Sequence, residues 1–357
     1  MMAIAFLAAA YTLSLELKRK ELGGLLSSHT IRIKIGEGAS MSELLTTAAL
    51  WFLVGFKMTY AFTHYDEFVA DTQGVILSGK GNLLGGLLAA GLFTFLRYRE
   101  KERKKLAKPE WKEVEVHPHE LVGNLTIAAA VGGILGAKIF HNLENLDEFA
   151  ADPVGSLLSF SGLTMYGGLI VGGAAVLWYG KKKGIPMLHL CDAAAPGLML
   201  AYGVGRIGCQ IAGDGDWGIV NNAQNPFSFL PDWAWAYDYP HNVNNVGVPI
   251  PGCEGNHCMV LPEPVFPTPL YEAVACILLF VGLWQLRKRI SIPGMLFFVY
   301  LILNGFERFW IEKIRVNTKY VIAGNEITQA EIISTLLVIG GLAGVFILRK
   351  RARESSS

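Results

Sequence analysis

At 357 residues, with 52% of them hydrophobic and only 17% charged, the chain has too little polar material to clothe a water-soluble surface of its size. The lipid bilayer is the solvent that such a composition fits. A net charge of +1 says little about partners, because in a membrane chain the information lies in where the charges fall.

Apolar stretches of about 17 to 25 residues carry a helix across about 30 Å of hydrocarbon. Read in chain order, the stretches at roughly 2–17, 43–62, 81–97, 120–141, 161–179, 190–212, 270–286, 293–311 and 328–348 predict an all-α, polytopic transmembrane helical bundle of about nine spans. The first stretch has no basic residue ahead of it and runs into Leu17-Lys18-Arg19-Lys20 rather than a small-residue cleavage site, so it is expected to be a span and not a signal peptide. Close spacing of small residues, as in Gly132-Gly133 with Gly136 and in Gly172-Gly173, lets helix backbones approach in lipid and argues for tight packing.

Basic residues cluster at Lys18–Lys20, at Arg32 and Lys34, from Arg97 to Lys112, at Lys181–Lys183, at Arg287–Arg289 and from Arg349 to Arg353, which are alternate loops. The intervening loops at 63–79, 142–160 and 213–269 contain no Lys or Arg, and the last, at 312–327, contains three. By the positive-inside rule the N-terminus lies outside, the C-terminus inside, and the number of spans is odd.

Asp66-Glu-Phe-Val-Ala-Asp71 recurs as Asp147-Glu-Phe-Ala-Ala-Asp152, each copy preceded by a helix carrying Lys57 or Lys138 and followed by one opening with Gly85-Gly86-Leu87 or Gly167-Gly168-Leu169. A duplicated helical hairpin is expected, with both copies facing the same way. Residues 97–117 are expected to form an exposed, mobile cytoplasmic linker, and residue 117 divides N-terminal spans (1–117) from a core (118–357) that contains the long external loop 213–269. In that loop Cys253 and Cys258, with His257 between them and His241 upstream, suit a short disulfide better than a zinc site. Its aromatic run, Phe227, Phe229, Trp233, Trp235, Tyr237 and Tyr239, suits a segment at the headgroup level.

Charges within spans default to functional candidates: here Lys57, Lys138, Arg206, Glu307 and Arg308, with Glu272 and Glu312 near span ends. Two guanidiniums at membrane depth suit a phosphate-bearing headgroup, which a planar fork of donors grips bidentately. The plainer alternative is that Arg308 pairs with Glu272 or Glu312 merely to hold helices together.

Four motifs, spread from about residue 118 to 316, give the chain a family resemblance. Gly205-Arg206-Ile207-Gly208 with its acidic, Gly-rich turn resembles the signature Gly-Arg-x-Gly-Asn-Phe-x-Asn-x-Glu-x-x-Gly of prolipoprotein diacylglyceryl transferases. Pro267-Thr-Pro-Leu-Tyr-Glu272 is similar to that family's His-Pro-x-Gln-Leu-Tyr-Glu, and Asn304-Gly-Phe-Glu-Arg308-Phe-Trp-Ile-Glu312-Lys-Ile-Arg315 resembles its Tyr-Gly-x-x-Arg-Phe-x-x-Glu-x-x-Arg. Tyr166-Gly167-Gly168-Leu169 stands where the family has His-Gly-Gly-Leu. The resemblance implies transfer of diacylglyceryl from phosphatidylglycerol to the lipobox cysteine thiol of a prolipoprotein, in the bacterial cytoplasmic membrane. It implies Arg206 and Arg308 as catalytic arginines, and Arg206, Gly167, Gly168, Glu272, Glu312, Arg315 and Gly218 as substrate-binding residues.

The chain departs from the pattern in two places. Cys209-Gln210 replaces Asn-Phe, ahead of a turn, Gly213-Asp214-Gly215-Asp216-Trp217-Gly218, that is one residue longer. Tyr166 replaces the histidine, and a phenol of pKa about 10 is a poor base at neutral pH, so Asp214 or Asp216 is the expected proton acceptor. Competing readings are a relative that binds phospholipid but acts on another acceptor or is inactive, and, with less support, a transporter. The expected partners are phosphatidylglycerol, the prolipoprotein signal peptide with its lipobox, and the bilayer; no cofactor, metal or nucleic acid is expected.

Overall fold

The computed structural model describes residues 1–70, 72–158, 164–322 and 325–354. Asp71, which closes the first copy of the repeat, and the first residues of the span expected from 161 lie outside them. Among the described residues nine helices are 18 residues or longer: α1 (Met2–Leu22), α2 (Met41–Thr63), α3 (Leu83–Arg103), α4 (Val122–Glu144), α5 (Met165–Lys182), α6 (Met187–Ala212), α7 (Thr268–Leu286), α8 (Met295–Glu312) and α9 (Gln329–Glu354). Five segments are long and apolar enough to cross a membrane: α2, α4 with its leading turn from Pro118, α6, α7 and α9. Large apolar side chains on them, among them Leu278, Leu336 and Phe346, point away from the protein, as they do where lipid rather than water is the solvent.

Local signals set the helix ends. The Ser40 hydroxyl accepts the Glu43 N–H at 3.1 Å and the Asn82 side chain accepts the Gly85 N–H at 2.8 Å, each satisfying a donor that the first turn leaves open. Helix α6 stops at Gly213, whose left-handed backbone (φ +60°) returns its N–H to the Cys209 carbonyl.

The chain divides into two compact units: Met1–Ser27 with 117–128 and 175–357, and Ser28–Val116 with 129–174. In the first unit a core of Met199, Cys276, Leu283 and Leu296 joins α6, α7 and α8, with Tyr202, Val299, Tyr300 and Leu303 packed on it. Away from the C-terminal end of α6, Asp192 accepts the Gly294 and Phe297 N–H groups at 2.7 and 3.0 Å and so caps α8, and the fully buried Glu16 of α1 pairs with Arg19 and Arg287. The external loop is tied by a disulfide between Cys253 and Cys258 and by the two-residue strands β3 (Val248–Pro249) and β4 (Met259–Val260). Its aromatic run divides. Phe229 and Trp233 are exposed, whereas Tyr239 is buried against Leu261 and Val265 and donates its hydroxyl to Gln210 Oε1 at 2.7 Å, so Tyr239 is a core residue of the loop.

In the second unit α2 packs along α3 so closely that a Cβ on Gly55 would lie 2.5 Å from the Gly85 carbonyl. Likewise a Cβ on Gly136 of α4 would lie 2.3 Å from the Gly167 carbonyl of α5. Phe56 O accepts the Asn82 N–H at 2.9 Å, Ala137 O accepts the Thr164 N–H at 3.2 Å, and Lys57 donates to the carbonyls of Val75, Ser78 and Lys80.

The linker is more ordered than the charge run implies. β2 (Glu110–Val116) pairs antiparallel with β1 (His29–Ile35), setting Arg32 opposite Glu113 and joining them in an ion pair. Ile31, Ile33 and Ile35 alternate with Arg32 and Lys34, a strand period that the surrounding charge hides. A further antiparallel pair, β5 (Lys319–Ile322) with β6 (Asn325–Thr328), precedes α9, so among the described residues the fold is mostly helical with three small two-stranded ribbons.

Candidate active site

Three short stretches of backbone build the site within the first unit. Beyond α6 the chain turns through Gly213 and Gly215 (φ +60° and +94°) and runs extended between the start of α7 and the end of α8. There Gly218 N–H donates to Phe266 O at 2.9 Å and Ile219 N–H to Ile314 O at 2.8 Å, while Thr268 Oγ1 donates to the Asp216 carbonyl at 2.7 Å. A Cβ on Gly218 would stand 2.5 Å from Ile314 O, so only glycine allows this approach. The stitching fixes Asp216 beside Arg315.

The expected charged residues converge here on Glu272, which is wholly buried. Arg308 Nη1 donates to Glu272 Oε1 at 2.7 Å, Arg206 Nε lies 2.7 Å from Oε2, and Arg315 Nη1 reaches Oε1 at 3.5 Å. Arg308 Nη2 is 2.9 Å from Glu312 Oε2. The Asp216 carboxylate bridges the remaining faces of the cluster, Oδ2 taking Arg206 Nη1 and Oδ1 taking Arg315 Nη2. Burial works against the Asp216 anion, but the two guanidiniums prevail and hold its carboxyl below the usual carboxylate range. Three cations thus meet three carboxylates.

Two contributors lie outside the motif residues. Tyr202, one helical turn before Arg206 and hence on the same face, donates to Glu272 Oε1 at 3.2 Å and receives Arg206 Nη2 at 3.4 Å. Asn317 donates to Glu312 Oε1 at 2.6 Å. The i, i+4 spacing could have flagged Tyr202; nothing in the local pattern flags Asn317. Glu307 continues the inward stripe of α8 one turn past Leu303, and both of its carboxyl oxygens are buried without a hydrogen-bond partner among the described residues. Arg315 Nε is a buried donor in the same condition.

Asp214 stands at the rim, exposed; ligand atoms of Cys209, Asp214 and Asp216 lie within 4.8 Å of one another. With two guanidiniums already on Asp216, that donor set serves the arginines and fits a cation poorly. Tyr166, Gly167 and Gly168 belong to the second unit, where Gly167 and Gly168 form the close contact of α5 with Gly136 and Gly133 of α4.

A sequence model of the prolipoprotein diacylglyceryl transferase family matches residues 85–347. Curated relatives named phosphatidylglycerol–prolipoprotein diacylglyceryl transferase include one from Corynebacterium glutamicum, 30% identical over 66% of this chain and 72% of its own length. Another, from Corynebacterium diphtheriae, is 30% identical over 67% of this chain and 81% of its own, and one from Vibrio vulnificus is 31% identical over 63% and 73%.

Proposed function

The chain belongs to the prolipoprotein diacylglyceryl transferase family and is a transferase of lipoprotein biosynthesis; on that premise we propose that it moves diacylglyceryl from phosphatidylglycerol to the lipobox cysteine of a prolipoprotein signal peptide. The observation that carries the reading is the convergence of Arg206, Arg308 and Arg315 on one buried carboxylate beside an acidic turn. In the proposed step the thiolate sulfur attacks the glycerol carbon that bears the phosphate ester. A C–S bond forms, the C–O bond breaks, and glycerol phosphate leaves with the electron pair. Arg206 and Arg315 hold the phosphate, and Arg206 and Arg308 stabilise the charge that grows on it, in a largely buried site. Glu272 and Glu312 fix the guanidiniums in place, and the thiol proton passes to Asp214 or Asp216. Tyr166 is read as a hydrogen-bonding group rather than a base, with Gly167 and Gly168 beside it in α5 as substrate-binding residues.

Purified protein in phosphatidylglycerol vesicles, given a lipobox peptide, is expected to yield a thioether-linked diacylglyceryl peptide and an equal amount of glycerol phosphate. Phospholipid binding without peptide product would favour the second reading, action on another acceptor, which the Tyr166 and Cys209 departures favour.

The placement we propose is the bacterial cytoplasmic membrane, crossed nine times with the N-terminus outside, the transferase chemistry in 118–357 and the hairpin of α2 and α3 duplicated as that of α4 and α5. The nine long helices, the basic loops and the matching Phe56–Asn82 and Ala137–Thr164 hydrogen bonds support this. Single cysteines introduced at 63–79, 142–160 and 213–269 are expected to react with an impermeant thiol reagent on intact cells, and those at 98–117 to stay unlabelled. Labelling at 98–117 would overturn the orientation.

A further inference from the structure

The charge balance of the cluster raises a difficulty for any anionic substrate. Every guanidinium in it already faces two carboxylates, so a phosphate added to the intact set leaves an uncompensated negative charge in a largely buried site. The buried Glu307 carboxyl, next to Arg308 in sequence, can only add to the negative side.

One carboxylate is placed to leave. The side chains of Glu272 and Glu312 are 0% exposed and carry further ties to Tyr202 and Asn317, whereas Asp216 is 32% exposed and sits on a glycine-flanked turn. Its backbone is pinned through Thr268, so its side chain can swing outward without disturbing the backbone bridge between Gly218 and Arg315. Its two oxygens engage two different arginines, as two non-bridging oxygens of a phosphodiester would, with the same single charge. Arg315, whose side chain is 6% exposed, keeps its Nε–H buried without an acceptor among the described residues. A phosphodiester sets four oxygens in a tetrahedron, where a carboxylate has two in a plane, and so offers that donor further acceptor positions.

We propose that Asp216 holds the place of the substrate's phosphate between Arg206 and Arg315, and that a singly charged phosphate ester binds by displacing it outward. Displacement keeps the buried charge balanced, satisfies Arg315 Nε and leaves the Asp216 carboxylate unpaired at the mouth, beside Asp214, only when lipid is bound. The inference rests on the reading that this cluster takes a phospholipid phosphate, and it makes Asp216 a competitor of the substrate as well as a part of its site.

The test is binding to the full-length protein in detergent. If the paired state is the resting one, apparent affinity is lowered by the fraction of protein that is open, so Asp216→Asn is expected to bind short-chain phosphatidylglycerol about ten-fold more tightly than wild type. Glycerol phosphate, which lacks the chains, separates a lipid-headgroup site from one for any phosphate ester. Tightening for both marks a phosphate site, and tightening for the lipid alone marks a headgroup site. Diacylglycerol, which has no phosphate, is expected to show no change. Unchanged or weaker phosphatidylglycerol binding by Asp216→Asn would overturn the proposal. A second measurement needs no variant: carbodiimide labelling of Asp216 in the wild-type protein, mapped by mass spectrometry, is expected to rise when short-chain phosphatidylglycerol is added. A fall, or no change, would overturn it equally. Peptide lipidation distinguishes the two ideas. Lipid binding that frees Asp216 without product refutes the transferase reading alone, whereas normal product formation with Asp216 still paired refutes the displacement alone.

Discussion

Arg206→Ala and Arg308→Ala are each expected to lower lipid transfer to a lipobox peptide by at least about 10²-fold, the loss usual when one preorganised donor to a developing charge is removed. The motive is geometric as well as familial. Each guanidinium has one face on Glu272 and another on a second carboxylate, Asp216 or Glu312, so each presents a fixed fork rather than a mobile charge. Lys at either position keeps the charge but not the fork, and is expected to restore little. Because the two arginines share one carboxylate, the double Ala variant should lose less than the product of the single losses, the non-additivity that marks one coupled unit. The measurement is the initial rate of labelled diacylglyceryl transfer in vesicles, with monodisperse elution in detergent as the check on folding. Near-normal transfer by either Ala variant would remove that arginine from the chemistry.

Much of this was legible from the chain. Spans announce themselves through length and apolarity: five of the nine expected segments are matched, among the described residues, by helices long and apolar enough to cross a membrane. The motif residues could be named because the segment from Asn304 to Arg315 resembles a family motif, and that resemblance agrees with a family match over 85–347. Pairing was less legible. Glu272 meets partners 36, 43 and 70 residues away, and no local periodicity encodes such contacts. The β1 and β2 ribbon closes across the whole α2 and α3 hairpin, so neither strand has a neighbour in sequence to suggest it. Tyr239 shows a third limit: an aromatic in a polar loop suits a membrane interface and a loop core equally well, and the hydroxyl's partner, Gln210, decides for the core.

Glu272→Ala is expected to be the most destabilising single change in the site. Three guanidiniums and the Tyr202 hydroxyl converge on this one carboxylate, which has no contact with solvent. Its removal leaves Arg206, Arg308 and Arg315 with only Asp216 and Glu312 between them, three buried cations against two anions, and breaking a buried pair in this way costs roughly 3–5 kcal/mol. Glu312 is held by Asn317 and does not move in to help, and Asp216 already serves Arg206 and Arg315. Gln at this position keeps the acceptor but not the charge, so Glu272→Gln should fall between Ala and wild type. Asp, one methylene shorter from a helix fixed by Pro269 in its first turn, should reach only part of the cluster. Unfolding of a membrane protein is seldom reversible, so the comparison is of apparent melting midpoints in one detergent at one scan rate. The order expected is wild type, Gln, Ala. The shift should grow smaller when Arg308→Ala is combined with Glu272→Ala, because the second change removes one of the cations that the first left unpaired. A Glu272→Ala variant that melts with the wild type would mean that the arginines are compensated from elsewhere and that Glu272 is not what holds them.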